Sequence, residues 1–254
     1  MLKNLTIVLA LFGSNWLLAQ NQNTIIEAAK ENDLASLRIL IDSAENVNAA
    51  DSDGSIALHW AVHNDSLEMT QLLLNSGSNV NAKNRYGVAA LSLAANNGNS
   101  SIVKTLLDAG AFANTVMGQD ETVLMTASRT GVNEVVKALI SAGANVNARE
   151  SWRGQTALMW AAAEGNKEVL EYLISAGADV SARSDAGFTP LLFAAREGRT
   201  SIVRSLIENG APVNEALPSR EAVVTENGMS SAAQTGMTPL LLAIGSAHFE
   251  TASV

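Results

Sequence analysis

GFTPLLFAAREGRTSIVRSLIENGAPVN, residues Gly187 to Asn214, is the most regular of five near-copies of one 33-residue unit that run from about Asp51 to Asn214. A glycine recurs at Gly77, Gly110, Gly143, Gly177 and Gly210. The residue heading the alanine-rich stretch recurs at Ile56, Ala89, Thr122, Thr156 and Thr189, and both series step by 33, 33, 34 and 33. A fixed period of this length marks an array of identical supersecondary units. Within the quoted copy, Leu191 to Arg196 is followed by Gly198 and then by Ile202, Val203, Leu206 and Ile207 at helical spacing, which predicts two short antiparallel helices. Thr189 and Pro190 place an N-cap hydroxyl before a proline in the first turn, where the missing N–H costs nothing. One such unit buries too little apolar surface to offset the entropy of ordering its backbone, so the copies must stack.

The run Thr189-Pro190-Leu191-Leu192-Phe193-Ala194 and the run Ala57-Leu58-His59-Trp60-Ala61 resemble the Thr-Pro-Leu-His-x-Ala signature of the ankyrin repeat family. Gly143-Ala144-Asn145-Val146-Asn147-Ala148 is similar to its Gly-Ala-x-Val-Asn-Ala. The resemblance covers roughly Thr24 to Val254 and is that of a bacterial-type exported ankyrin repeat domain-containing protein. It implies an all-α fold, a solenoid of stacked helix-turn-helix units with β-hairpin or loop tips. It also implies binding rather than a shared chemistry, because the family is defined by architecture.

The ends differ from the array. Residues 1–19 carry one charge at Lys3, an apolar run from Leu5 to Phe12 and a break at Gly13, which resembles a secretory signal peptide cleaved after Ala19. An uncleaved anchor and a capping helix are the other readings of this stretch. Residues 20–50 read as a degenerate N-terminal capping repeat, with Ile25, Ile26, Ala28 and Ala29 for the first helix and Leu37, Ile39, Leu40 and Ile41 for the second. Residues 51–215 hold the five repeats. Thr189 to Thr238 spans 49 residues, so an inserted loop occupies about 216–235, either disordered or a finger that touches a partner. The motif restarts at Gly236-Met237-Thr238-Pro239 and breaks off within the second helix of a truncated sixth repeat, 236–254, which predicts a longer array.

Composition narrows the function. The chain is 47% apolar but 4% aromatic, as helices packed through small aliphatic residues require. A net charge of −9 argues against a sequence-independent nucleic-acid surface, and the absence of cysteine removes disulfides, thiolate chemistry and zinc-thiolate sites. His59 and His63 have the spacing of two metal ligands, but His59 occupies the family's structural histidine position and no third ligand is near. Asp51-Ser52-Asp53-Gly54 starts like a calcium loop but has Val62 where the closing glutamate belongs, so it reads as a turn. Glu164 and Glu168 flank Lys167 as a solvated helical face does. No catalytic residue, metal site or cofactor is expected, and the chain is not read as an enzyme.

Positions that stacking does not use are those left for a partner. Aromatic and arginine side chains among them are the strongest candidates: Tyr86, Arg129, Trp152, Arg153, Phe188 and Arg196. Trp152 lies where the single 34-residue step enlarges a tip, and it either meets a partner or folds back over the neighbouring tip. Trp60 and Trp160 share one position in the first helix and read as packing residues. The expected function is a periplasmic or secreted, monomeric, non-catalytic module that binds a protein through a concave groove. It makes no nucleic-acid contact and keeps no stable membrane span after cleavage. The alternative is a structural spacer, or an accessory domain of a longer protein with a further, enzymatic domain beyond Val254.

Overall fold

The computed structural model describes residues 24–217, 236–246 and 248–254. The expected signal peptide at 1–19 and residues 218–235 of the expected insertion lie outside the described residues. The chain forms two compact units, Met1–Asn79 and Val80–Val254. Among the described residues both are built from helix pairs, and extended pairing is limited to isolated bridges such as Lys83 with Ala89 and Val116 with Thr122.

The first unit contains α1 (Ile25–Lys30), α2 (Leu34–Asp42), α3 (Ala57–His63) and α4 (Leu67–Asn75), with α1 against α3 and α2 against α4. Thr24 starts α1 with a reciprocal cap: its hydroxyl accepts from the Glu27 N–H at 3.2 Å, and the Glu27 carboxylate accepts from the Thr24 N–H at 2.9 Å. Ile56, which heads α3, has no hydroxyl to cap the helix, and the reciprocal half of the cap is made by His59, whose Nδ1 accepts from the Ile56 N–H at 3.2 Å. That bond, with the ring 3% exposed, is the structural role of His59. The second helix departs from expectation: Leu37 is buried, but Ile39 is 68% exposed and Leu40 and Ile41 are half-buried. Packed mainly against α1 and more thinly against α4, this nine-residue helix buries one stripe, and Ile39, two residues from Leu37, lies off that stripe.

Asp51 joins the two helix pairs of this unit. One carboxylate oxygen accepts from the N–H groups of Asp53 and Ser55 at 3.0 and 2.9 Å, and the other meets Lys30 at 3.2 Å and the Trp60 indole N–H at 3.3 Å. Burial pushes its pKa up, but the Ser55 N–H, Lys30, the Asp53 N–H and Trp60 together outweigh that and hold it below the ordinary 3.8. A depressed folded-state value means that the ionised group stabilises above the unfolded value and loses its effect as pH falls through the folded one. The first unit therefore loses stability below about pH 4, and Asp51→Asn flattens that acid limb in thermal melts followed from pH 7 to pH 2.

The second unit stacks α5 (Ala90–Asn97), α7 (Val123–Thr130), α9 (Ala157–Glu164), α11 (Pro190–Arg196) and α13 (Pro239–Gly245) in one layer. The other layer is α6 (Ser100–Asp108), α8 (Asn133–Ser141), α10 (Lys167–Ser175), α12 (Thr200–Glu208) and α14 (Phe249–Ala252). Ala94, Ala127, Ala161 and Ala194 are fully buried, which lets first-layer helices approach closely. Ile102, Val135, Leu170 and Ile202 fill the space behind them. Thr122, Thr156, Thr189 and Thr238 each cap a first-layer helix, accepting from the backbone N–H three residues on at 3.2 to 3.4 Å. The last pair buries Leu242, Ala243 and Thr251 and leaves Leu240, Leu241, Ile244 and Phe249 exposed. Leu217 and Met237, flanking residues 218–235, are joined by the Leu217 N–H bonding the Met237 carbonyl at 3.0 Å.

An asparagine rung ties consecutive repeats. In the second unit the Asn81 amide donates to the Gly110 carbonyl at 3.0 Å and accepts from the Phe112 N–H at 2.9 Å. Asn114 does the same with Gly143 and Asn145, and Asn147 with Gly177 and Asp179. The first unit has one such rung, Asn48 to Gly77 and Asn79. The series stops at Ser181, and the position that would donate to it is Pro212, which has no N–H. Asn114→Ala is expected to lower stability by about 1–2 kcal/mol, since it removes two hydrogen bonds and leaves their partners to water. Ser181→Asn alone leaves the urea midpoint nearly unchanged, because one half of the rung still lacks its donor.

Candidate functional site

Four of the five tips begin with a residue whose side chain closes the turn that follows, Asp51, Asn84, Glu150 and Ser184, whereas the third has Met117 there and turns through Gly118–Asp120. Asn84 Oδ1 accepts from the N–H groups of Tyr86 and Val88, both at 3.0 Å, and Ser184 Oγ accepts from the Phe188 N–H at 3.0 Å. These are short arms spanning a four-residue turn. The fourth tip, one residue longer, has Glu150 at this position. Its carboxylate accepts from the N–H groups of Trp152 at 2.6 Å, Arg153 at 3.0 Å and Gln155 at 2.8 Å, and the residue is 6% exposed. The extra methylene of glutamate matches the extra residue of the turn, so the enlarged tip is internally bonded rather than loose.

The fourth tip is also fastened to the fifth. The Asp185 N–H donates to the Arg153 carbonyl at 2.8 Å, Arg149 pairs with Asp185 at 2.9 Å, and a second Arg149 nitrogen donates to the Arg183 carbonyl. Gly154 passes beneath this pair with φ +66°, and a Cβ there would lie 2.3 Å from both Arg149 and Asp185. Both the left-handed backbone and the close approach require glycine at 154.

With the tip held in this way, Trp152 stands 61% exposed and the Arg153 guanidinium lies 3.8 Å from its ring centroid. Beside them, Phe188 packs against Phe193 with centroids 5.2 Å apart, and Arg196 lies 5.2 and 5.0 Å over the two rings while pairing with Glu197 at 2.8 Å. These side chains line a cleft of about 340 Å³ between the fourth and fifth tips.

Of the six candidates, Trp152, Arg153, Phe188 and Arg196 therefore share one site. Phe188 is 8% exposed, however, so it is the floor of the cleft and not a free contact, because Phe193 presents a ring for it to pack on. Tyr86 is 61% exposed at the second tip, where Arg85 lies 5.0 Å over its ring and bonds its hydroxyl at 2.9 Å. Arg129 lies 5.8 Å over Trp160, away from the cleft. Trp60 and Trp160 are both half-buried. Their indole nitrogens differ: that of Trp60 donates to Asp51, whereas that of Trp160 is buried without a partner among the described residues. The residue equivalent to Asp51 beside Trp160 is Glu150, whose carboxylate is already engaged by the long tip.

A family model described as ankyrin repeats (3 copies) matches residues 2–84, 25–117, 91–184 and 124–217 in overlapping windows. The chain belongs to the ankyrin repeat family. Its helix pairs, threonine caps and asparagine rungs are the ankyrin solenoid, and ankyrin repeats act in general as protein–protein interaction modules and typically as non-enzymatic scaffolds. No curated protein matches the chain. No helix among the described residues is long and apolar enough to cross a membrane.

Glutamate at 150 and phenylalanine at 193 are site residues that the repeat pattern did not single out. The signal for the first was present, since the one glutamate among the turn-closing residues coincides with the one 34-residue step. Glu150→Ala leaves three N–H groups without their acceptor, and is expected to cost about 1–3 kcal/mol and to speed trypsin cleavage after Arg153. Gly154→Ala is expected to have the same proteolytic signature, whereas Tyr86→Ala leaves cleavage at Arg153 unchanged.

Proposed function

We propose that this chain is an exported, non-catalytic ankyrin module that holds a protein partner on the tip side of its second unit, centred on the cleft between the fourth and fifth tips. The observation that carries this reading is Trp152: a large aromatic ring, 61% exposed, on a tip whose backbone is rigidly bonded through Glu150. Exposed apolar area of this kind marks an interaction surface, and a ring that is already positioned loses little freedom on binding. Arg153 beside it and the Phe188–Phe193 floor supply the residue types that dominate interface energetics. Tyr86 and Arg129 extend the same surface toward the second and third repeats. Export is supported by the charge, apolar run and small-residue break of residues 1–19, and the module then works in the periplasm or outside the cell.

The test uses the mature chain immobilised to capture partners from envelope extract, with the captured protein identified and its affinity measured. Trp152→Ala combined with Arg153→Ala is expected to weaken binding by about thirtyfold or more, the effect of losing a central anchor. Phe188→Ala is unsuitable for this purpose, because emptying a buried ring position costs about 3–5 kcal/mol of stability. Full affinity in the double variant, with an unchanged melt, would contradict the assignment. For export, N-terminal sequencing of the protein recovered from the envelope or medium is expected to begin at Gln20; recovery only from the cytosol with Met1 intact would contradict it.

A further inference from the structure

Charge balance around the cleft identifies what its partner presents. Arg149 is paired with Asp185 at 2.9 Å, Arg183 with Glu215 at 2.8 Å and Arg196 with Glu197 at 2.8 Å. Arg153 has no carboxylate partner among the described residues. The nearest acid in sequence, Glu150, is turned into the tip, where backbone N–H groups occupy both of its oxygens. In a chain of net charge −9, no carboxylate among the described residues answers this guanidinium at the rim of the aromatic cleft. Its central carbon lies 3.8 Å from the Trp152 ring centroid, and no side-chain nitrogen of Arg153 is engaged by a carboxylate among the described residues.

A guanidinium held against an indole in this way suits bidentate pairing with a carboxylate, and the contact with the ring reduces the freedom lost when that pair forms. Beside it, the cleft of about 340 Å³ above the Phe188–Phe193 floor, which Arg196 overlies, has room for a neighbouring apolar side chain. We propose, building on the reading of this cleft as the partner site, that it recognises an extended peptide segment carrying an aspartate or glutamate next to an aliphatic or aromatic residue. The acid pairs with Arg153 and the neighbouring apolar group enters the cleft under Trp152. Single-stranded nucleic acid, which also combines negative charge with flat rings, is the competing class, and the chain's overall negative charge disfavours it.

The experiment selects binders to the folded full chain from a displayed library of random dodecapeptides, then measures the synthesised winners by intrinsic tryptophan fluorescence and calorimetry. The expected winners require Trp152 and carry Asp or Glu beside an apolar residue. Exchanging that acid for its amide weakens them by about tenfold or more, Arg153→Gln does the same without changing the melt, and the two losses do not add when combined. Winners that require Trp152 but are indifferent to both exchanges overturn the acidic-segment inference and leave the cleft as the partner site. Failure to find any Trp152-dependent peptide overturns both readings. Displacement of the peptides by oligothymidylate at matched salt overturns the inference in favour of nucleic acid.

Discussion

Within each unit, no described helix pair buries its own apolar stripe, so each lies against its neighbour in that unit, and nearly every regular feature follows from that contact. Buried alanines bring the first-layer helices together, while Ile102, Val135, Leu170 and Ile202 fill the second layer. Apolar packing alone tolerates sliding. The asparagine amide resists it, because one side chain must meet a carbonyl and an N–H of the following repeat at once, as Asn114 does with Gly143 and Asn145. The rung ends where both halves of the chemistry disappear together, at Ser181 and Pro212.

That constraint also determines where variation is tolerated. The tips lie outside the packed layers, but their N–H groups still need acceptors, so four of the five tips carry their own closing side chain. At the fourth tip, lengthening the turn and lengthening the acceptor occurred together. The result is a projecting Trp152–Arg153 pair on a backbone as well bonded as its neighbours. The displaced demand appears one helix away, where the Trp160 indole N–H lacks the carboxylate that its counterpart Trp60 finds in Asp51.

The repeat register, helix pairs, caps and family were legible in the sequence, because stacking imposes the same residue at the same place five times. His59 was legible as structural for the same reason. What repetition does not constrain was harder to see. Phe188 sits at a variable position, and whether it faces solvent depended on the ring that its own helix carries at Phe193. Ile39 lies beside Leu40 and Ile41 in an aliphatic run that looks like one buried face, yet only Leu37 of this helix is buried. Glu150 was not singled out by the repeat pattern, because its role lies in the three N–H groups that the longer turn gathers around it.

The central claim is that the surface between the fourth and fifth tips holds the partner. Hydrogen exchange of the backbone amides, compared between the free chain and its complex with the captured partner, tests this directly. The account predicts added protection over 150–156 and 184–188, with the second-layer face around Lys104 and Lys137 unchanged. Protection confined to that second-layer face or to the first unit, with the fourth and fifth tips exchanging as in the free chain, would contradict it.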